Sequence, residues 1–339
     1  MRRFALRPYR LPFVTALLAT ALGSALGAAC VQNAQAQDWP SRPVTMVVPF
    51  AAGGPIDTLG RVLQPALGEA LGQQLIIENQ PGGGGMTGSL RVSQAAVDSH
   101  LFVLGSIGTH SIGQSMHKKP AYDAATAFQP VMLVADAPLV LIVRKDLPAK
   151  NFKEFVEYAK ANQGKMQFGS GGTGTSSHVG CVLLNQTIGV NVVHVPYRGG
   201  GPALQDLIGG RIDYICNYVS TAVPAVTSGQ ARVLATLALQ RSSAFPDVPT
   251  ADQQGLKDFD ISAWNAMFMP KSATPAMVAK LNAAASKTID NPAVRKRLDE
   301  IGLIPTAAAR RTPAYLQKFV ESEIKKWAVP VKAAGLQAD

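Results

Sequence analysis

Short β-branched runs alternate with stretches of helical period along most of this chain, and nearly every run ends in glycines and hydroxyls. Residues Thr45–Phe50 read as a strand. It feeds through Gly53-Gly54 into a helix that opens at Pro55 and Asp57 and carries Leu59, Val62 and Leu63 on one side. Gln74–Glu78 is the next strand, followed by glycines 82 to 85 and a helix through Ala96. Leu101–Ser106 is a third, ending in Gly105-Ser106-Ile107-Gly108-Thr109-His110. Val131–Val134 and Leu139–Arg144 then form a long extended pair with no helix between them. The alternation restarts with helix Phe152–Ala161, strand Met166–Phe168, a helix through Ile188, strand Asn191–Tyr197, a further helix and strand Ile212–Tyr218. Val233–Leu239 is a second extended run. The tail predicts a strand at Ile261–Met269 and helices at Pro275–Ile289, Pro292–Ile301 and Thr312–Ala334.

Repeated strand–helix units argue for an α/β fold with parallel, doubly wound sheets. The two extended crossings near 139–144 and 233–239 divide the units into two sets. They predict two lobes joined by a two-stranded hinge, with 37–140 and 240–339 in the first and 141–239 inserted as the second. In such sheets ligands bind outside the carboxyl ends of the strands. Each glycine- and hydroxyl-rich loop of this chain lies at such an end.

The N-terminus changes the picture of where the chain works. Arg2, Arg3, Arg7 and Arg10 precede an apolar run over 11–29, and Ala34-Gln35-Ala36 supplies a small-x-small cleavage pattern. Residues 1–36 therefore read as a cleaved export signal, and the mature chain as a periplasmic protein beginning at Gln37. Pro12, Gly23, Gly27 and the polar stretch that follows speak against a membrane anchor. Cys30 after Gly-Ala-Ala suggests a lipoprotein site only loosely, because the leucine stands one place too early. The formal charge of +10 includes the four leader arginines. The remaining basic points, Arg295-Lys296-Arg297, Arg310-Arg311 and Lys325-Lys326, are scattered and read as solvated helix faces, not a nucleic-acid stripe. A mild positive field suits capture of acidic small molecules. Cys181 and Cys216 remain after the leader is removed. Export permits a disulfide, but both lie in apolar segments and two buried free thiols are the expectation.

The loops point to anion binding. A strand entering a helix through Gly53 and Gly54 leaves unpaired N–H groups at the helix start, where the dipole favours negative charge. Asp57 could cap that helix, pair with Arg61 one turn on, or hold a ligand ammonium; capping or pairing is the reading preferred. The 169–178 loop joins Ser170, Thr173, Thr175, Ser176 and Ser177 to four glycines at a second helix start. Neutral donors of this kind can hold a carboxylate without a cation. Gly83-Gly84-Gly85-Met86-Thr87-Gly88 matches a dinucleotide fingerprint by spacing, but the region Leu104 to His110 lacks the acid that would hold a ribose. A nucleophile elbow, a zincin motif and cysteines at metal spacing are all missing from the sequence. Ser177 and His178 are neighbours on a helix and do not face each other, so His178 is expected to pack or cap.

With these segments in place the chain resembles the Bug family of periplasmic solute receptors, the binding components of tripartite tricarboxylate transporters. The matching stretches are 49–57 (Pro-Phe-Ala-Ala-Gly-Gly-Pro-Ile-Asp), 78–85, 169–178, 194–204 and 245–250, in family order over nearly the whole mature chain. The resemblance implies a type II-like, Venus-flytrap clamp that holds a carboxylated solute and presents it to a membrane permease. By position it points to Phe50, Gly53, Gly54 and Asp57 on one side. The facing set is Ser170, Gly172, Thr173, Thr175, Ser176 and Tyr197, with Ser106, Thr109 and Asn217 from neighbouring strand ends. Asp98-Ser99-His100, Gly113-Gln114 and Cys216-Asn217-Tyr218 depart from the family pattern.

The reading is thus a non-enzymatic, monomeric receptor with no cofactor or metal. Its solute is a di- or tricarboxylate, an acidic amino acid or an aromatic carboxylate. Two other classes compete: a receptor docking on a sensor kinase, and an exported hydrolase using Ser177 or Ser170.

Overall fold

In the computed structural model, which describes Met1 and residues 39–336, strand β1 (Val44–Val48) leads through the first glycine loop into helix α1 (Pro55–Leu71). The expected cleavage site, Gln37 and Cys30 lie outside the described residues. Helix α1 starts on Pro55, where a missing N–H costs nothing. It buries Leu59, Leu63 and Leu67 on one face, each contributing about 1.5–3 kcal/mol. It stops at Gly72, which takes a left-handed conformation. Strand β2 (Leu75–Asn79), helix α2 (Met86–Ser93) and strand β3 (Leu101–Ser106) follow.

After β3 the chain makes a π-helical turn, Gly108–Ile112, continued by the short helix α3 (Gly113–Met116), where the sequence predicts only a loop. The two extended runs near 131–144 are one strand of 17 residues, β4 (Phe128–Arg144). Then come α4 (Phe152–Asn162), β5 (Gln167–Ser170), α5 (Ser176–Ile188), β6 (Val193–Pro196), α6 (Gly200–Ile208), β7 (Tyr214–Tyr218), α7 (Val219–Thr227) and β8 (Ala231–Thr236). The tail holds β9 (Ser262–Pro270), α8 (Pro275–Asp290), α9 (Pro292–Glu300), the short β10 (Ile304–Pro305) and α10 (Pro313–Ala333).

The strands form one continuous sheet in the order β2-β1-β3-β9-β4-β7-β5-β6. The predicted parallel pairing holds for β2-β1-β3 and for β7-β5-β6. Between these trios, β9 runs antiparallel to both β3 and β4, and β4 antiparallel to β7. Strand β4 changes partner along its length: Phe128–Pro138 pairs with β9, and Leu139–Val143 pairs with β7. It can serve both because it is buried on both faces and almost wholly apolar. The last helix, α10, packs against β4, the π-helical turn and α3. On it the buried carboxylate of Glu323 accepts from the indole nitrogens of Trp264 (2.9 Å) and Trp327 (3.1 Å).

One expectation is corrected here. Cys181 on α5 and Cys216 on β7 form a disulfide, with Cα atoms 5.2 Å apart. The buried face of α5 lies directly on β7, which brings the two cysteines within bonding reach; their apolar surroundings do not prevent it. Replacing both by alanine is expected to lower stability by about 2–4 kcal/mol, given a closed loop of this length, and urea unfolding of the double variant measures it.

Candidate functional site

The carboxyl ends of β1, β3, β5, β6 and β7 converge on one small cavity of about 20 Å³. On the measure by which a single water needs roughly 10–15 Å³, this is space for ordered solvent between nearly closed walls. Phe50, Pro55 and Ile56 form one wall, with Ser106 beside them. Gly171, Thr175, Ser176 and Ser177 form the opposite wall, and Gly200, Asn217 and Tyr218 complete it.

Three helix starts therefore meet at the cavity. The first-turn N–H groups of Ile56 on α1, Ser176 and Ser177 on α5, and Gly200 and Gly201 on α6 have no acceptor within their own helices. Thr175 caps α5: its hydroxyl accepts from the His178 N–H (3.3 Å) and donates to the Gly172 carbonyl (2.7 Å). The Ser177 hydroxyl accepts from the Gly171 N–H at 2.9 Å. Ser176 donates to the phenol oxygen of Tyr218 at 2.9 Å. Burial pushes the Tyr218 phenol up to about 12, so it stays neutral. No residue lining the cavity carries a charge.

Of the thirteen residues singled out in the sequence, the cavity gathers Phe50, Ser106, Thr175, Ser176 and Asn217. The others take different places. The Gly53 N–H is spent on the Asp57 carboxylate at 2.9 Å, and Gly54 packs toward the start of α6. Asp57 is buried and also accepts from Arg61 (2.8 Å) and Asn79 (3.0 Å). Burial opposes its charge, but these hydrogen bonds outweigh burial and hold its carboxyl below the usual value. Asp57 thus clamps the first loop and pairs with Arg61 one turn on, as the pairing reading had it, without capping the helix, and it does not line the cavity. Thr109 is turned into the π-helical turn, where its hydroxyl meets Ser106 N (2.9 Å) and His110 Nδ1 (2.8 Å). Ser170 is buried, 2.7 Å from His194 Nε2 and bonded to Gly172. This serine–histidine contact lies behind the cavity wall and is not among its lining groups. Tyr197 donates to Asp206 at 2.6 Å, and desolvation, aided by that carboxylate, pushes its phenol up to about 12. Gly172, Thr173 and Tyr197 line a separate outer mouth with Phe50, His117 and Arg198.

Pro55, Ile56, Gly171 and Gly200 also line the cavity and were not singled out as site residues. The signal was present for Ile56 and Gly200, since the residue that starts a helix after a glycine loop faces the same way as the loop. The two walls touch directly. The Ala51 N–H donates to the Arg198 carbonyl at 3.2 Å across the seam, and a Cβ on Gly84 would collide with the Thr173 carbonyl oxygen.

Residues 59–336 match the family described as the tripartite tricarboxylate transporter family receptor. This chain belongs to that family. Among solved structures it is similar to MatC from Rhodopseudomonas palustris with bound malate, at 38% identity and a TM-score of 0.83 over 86% of this chain and 100% of that one. The periplasmic binding protein BugD is 35% identical, with a TM-score of 0.86 over 89% of this chain and 100% of that one. A second R. palustris protein, solved with adipate, is 30% identical, with a TM-score of 0.84 over 88% of this chain and 99% of that one. The receptor thus has the α/β periplasmic binding protein fold in two lobes.

Behind the 169–178 loop, the rings of His178 and His194 lie tilted against each other at 4.1 Å between centroids. Desolvation lowers His178 to about 4; desolvation and then its neighbour lower His194 to about 3. Both are neutral in the folded receptor, whereas unfolded imidazoles take protons near 6.5. Stability is therefore complete above about pH 6.5 and falls as the pH drops toward 4, because only the unfolded state gains these protons. Thermal unfolding midpoints across that window should show the fall; a flat profile contradicts the buried neutral pair.

Proposed function

We propose that this chain is an extracytoplasmic receptor that encloses a small carboxylate between two lobes and delivers it to permease subunits of the tripartite tricarboxylate type. The observation that carries the reading is a single cavity walled by three helix starts and neutral donors, since such groups stabilise an anion without a cation. The malate and adipate held by similar receptors support it. In this reading Phe50, Ser106, Thr175, Ser176 and Asn217 touch the solute together with Ile56 and Gly200. Gly53, Gly54, Asp57, Thr109, Ser170, Gly172, Thr173 and Tyr197 shape the loops around it.

The lobes are taken as 37–140 with 240–339, and 141–239; the change of partner along β4 at Pro138–Leu139 supports that border. The leader at 1–36 directs the chain to the periplasm, where it works as a monomer. A solute that touches both walls favours the closed form by its differential affinity for it. Binding and release require no chemical step.

A thermal-shift screen with malate, succinate, adipate and citrate tests the reading. Bound ligand should raise the melting temperature with concentration by mass action. No rise with any carboxylate overturns it, and recovery of the solute chemically altered would favour a hydrolase. Closure is tested by a matched pair of glycines. Gly83 and Gly84 are both left-handed (φ 54° and 65°), so alanine strains either one similarly. Only at Gly84 does the added Cβ meet the opposite lobe. Gly84→Ala should therefore weaken carboxylate binding about tenfold more than Gly83→Ala by calorimetry.

A further inference from the structure

Building on the receptor reading, we propose that this cavity selects carboxylates that carry no ammonium group: dicarboxylates and hydroxy acids enter, and the acidic amino acids of the same skeleton are rejected. The argument starts from Asn217, which is 1% exposed at the end of β7. Its Oδ1 accepts from the Tyr218 N–H at 2.8 Å, and this fixes which way the amide faces. Nδ2 is therefore the free end. It is buried, it has no partner, and Asn217 lines the cavity beneath the start of α6, with Nδ2 2.5 Å from where a Gly200 Cβ would lie. A buried donor with no acceptor is costly. The occupant that relieves it offers an oxygen lone pair there.

An ammonium does the opposite. It brings only donors, and it needs a counter-charge once water is stripped from it. Among the lining residues there is none. The nearest carboxylate along the chain, Asp57, is fully engaged by Gly53, Arg61 and Asn79, and lines an outer groove with Arg61 and Arg297. Asp206 is held by Tyr197 and Arg211 and does not line the cavity. The outer mouth presents His117 and Arg198 and no acid. The hydroxyl protons of Thr175 and Ser176 go to Gly172 and Tyr218, so toward a cation these side chains present only neutral oxygen lone pairs and no counter-charge. A carboxylate or hydroxyl meets Asn217 Nδ2 and the helix-start amides instead.

Calorimetry on the intact receptor with matched pairs tests this: succinate and L-malate against L-aspartate, and glutarate against L-glutamate. L-Malate and L-aspartate differ only in a hydroxyl against an ammonium on one carbon skeleton, so size cannot explain a difference in that pair. The amino acid of each pair is expected to bind at least tenfold more weakly. An amino acid that binds as tightly as its partner overturns the inference and leaves the receptor reading standing; silence from every carboxylate overturns both. Asn217→Asp keeps an oxygen for the Tyr218 N–H while turning the cavity-facing donor into an acceptor. It should weaken succinate by tenfold or more and shift the succinate-to-aspartate ratio toward aspartate. An unchanged ratio in a variant that melts like the parent removes Asn217 from the selection.

Discussion

Helix starts aimed at a common seam are what the rest of this molecule is organised around. A parallel strand that turns at once into a helix leaves two or three backbone donors without acceptors, and a single such end is a weak anion site. Here α1, α5 and α6 begin within contact of one cavity. Their dipoles add at that point without any side-chain charge. The sheet order makes this possible, because β1 and β3 come from one trio and β5, β6 and β7 from the other.

Ion pairs are kept out of the cavity and used to shape its borders. Asp57 with Arg61 and Asn79 sets the first glycine loop, and Asp206 with Arg211 and Tyr197 pins the strand end before α6. Both pairs are partly solvated, so their direct contribution to stability is small. Their effect is positional. On the far side of the fold, Arg310 binds Asp136 through two hydrogen bonds of 2.6 and 3.1 Å, fixing the return of the chain to β4. The disulfide has a similar geometric consequence beside the β7-β5-β6 trio. It ties α5, which begins with Ser176, to the strand that ends in Asn217 and Tyr218. Two parts of the same cavity wall are thereby held in fixed relation.

Histidines illustrate how burial, not motif, decides chemistry here. Ser170 and His194 stand 2.7 Å apart, a separation that would suit a nucleophile and its base. Yet His194 is stacked on Phe168 and tilted against His178, its imidazole is held neutral, and Ser170 is committed to the Gly172 backbone. The contact stiffens the loop under Thr175. Similarly His110 is buried against Phe268 at 3.8 Å and lowered to about 3 by desolvation, which makes it part of the core beside β9 and β4.

The order of strands and helices was legible in the sequence because each is written locally, in β-branched runs, leucine spacing, prolines at helix starts and glycines at their ends. Leu101–Ser106 was read to the residue and the other elements that were read lie within a few positions, whereas helix α7 (Val219–Thr227), the π-helical turn with α3, and β10 were not foreseen. The position of the site was legible too, because glycines and hydroxyls collect where strands end. Which of those groups face inward was not. Gly53 and Asp57 look like ligand groups in one dimension, and only folding shows the N–H and the carboxylate spent on each other. Thr109 and Ser170 were hidden in the same way by partners four or fewer and 24 residues away. The cysteines make the point most simply: 35 positions separate Cys181 from Cys216, and no local pattern records that α5 lies on β7. Periodicity and turn chemistry depend on neighbours in the chain, and those the sequence alone determines. Pairing, burial and the direction of a side chain depend on neighbours in space, and those only the tertiary structure decides.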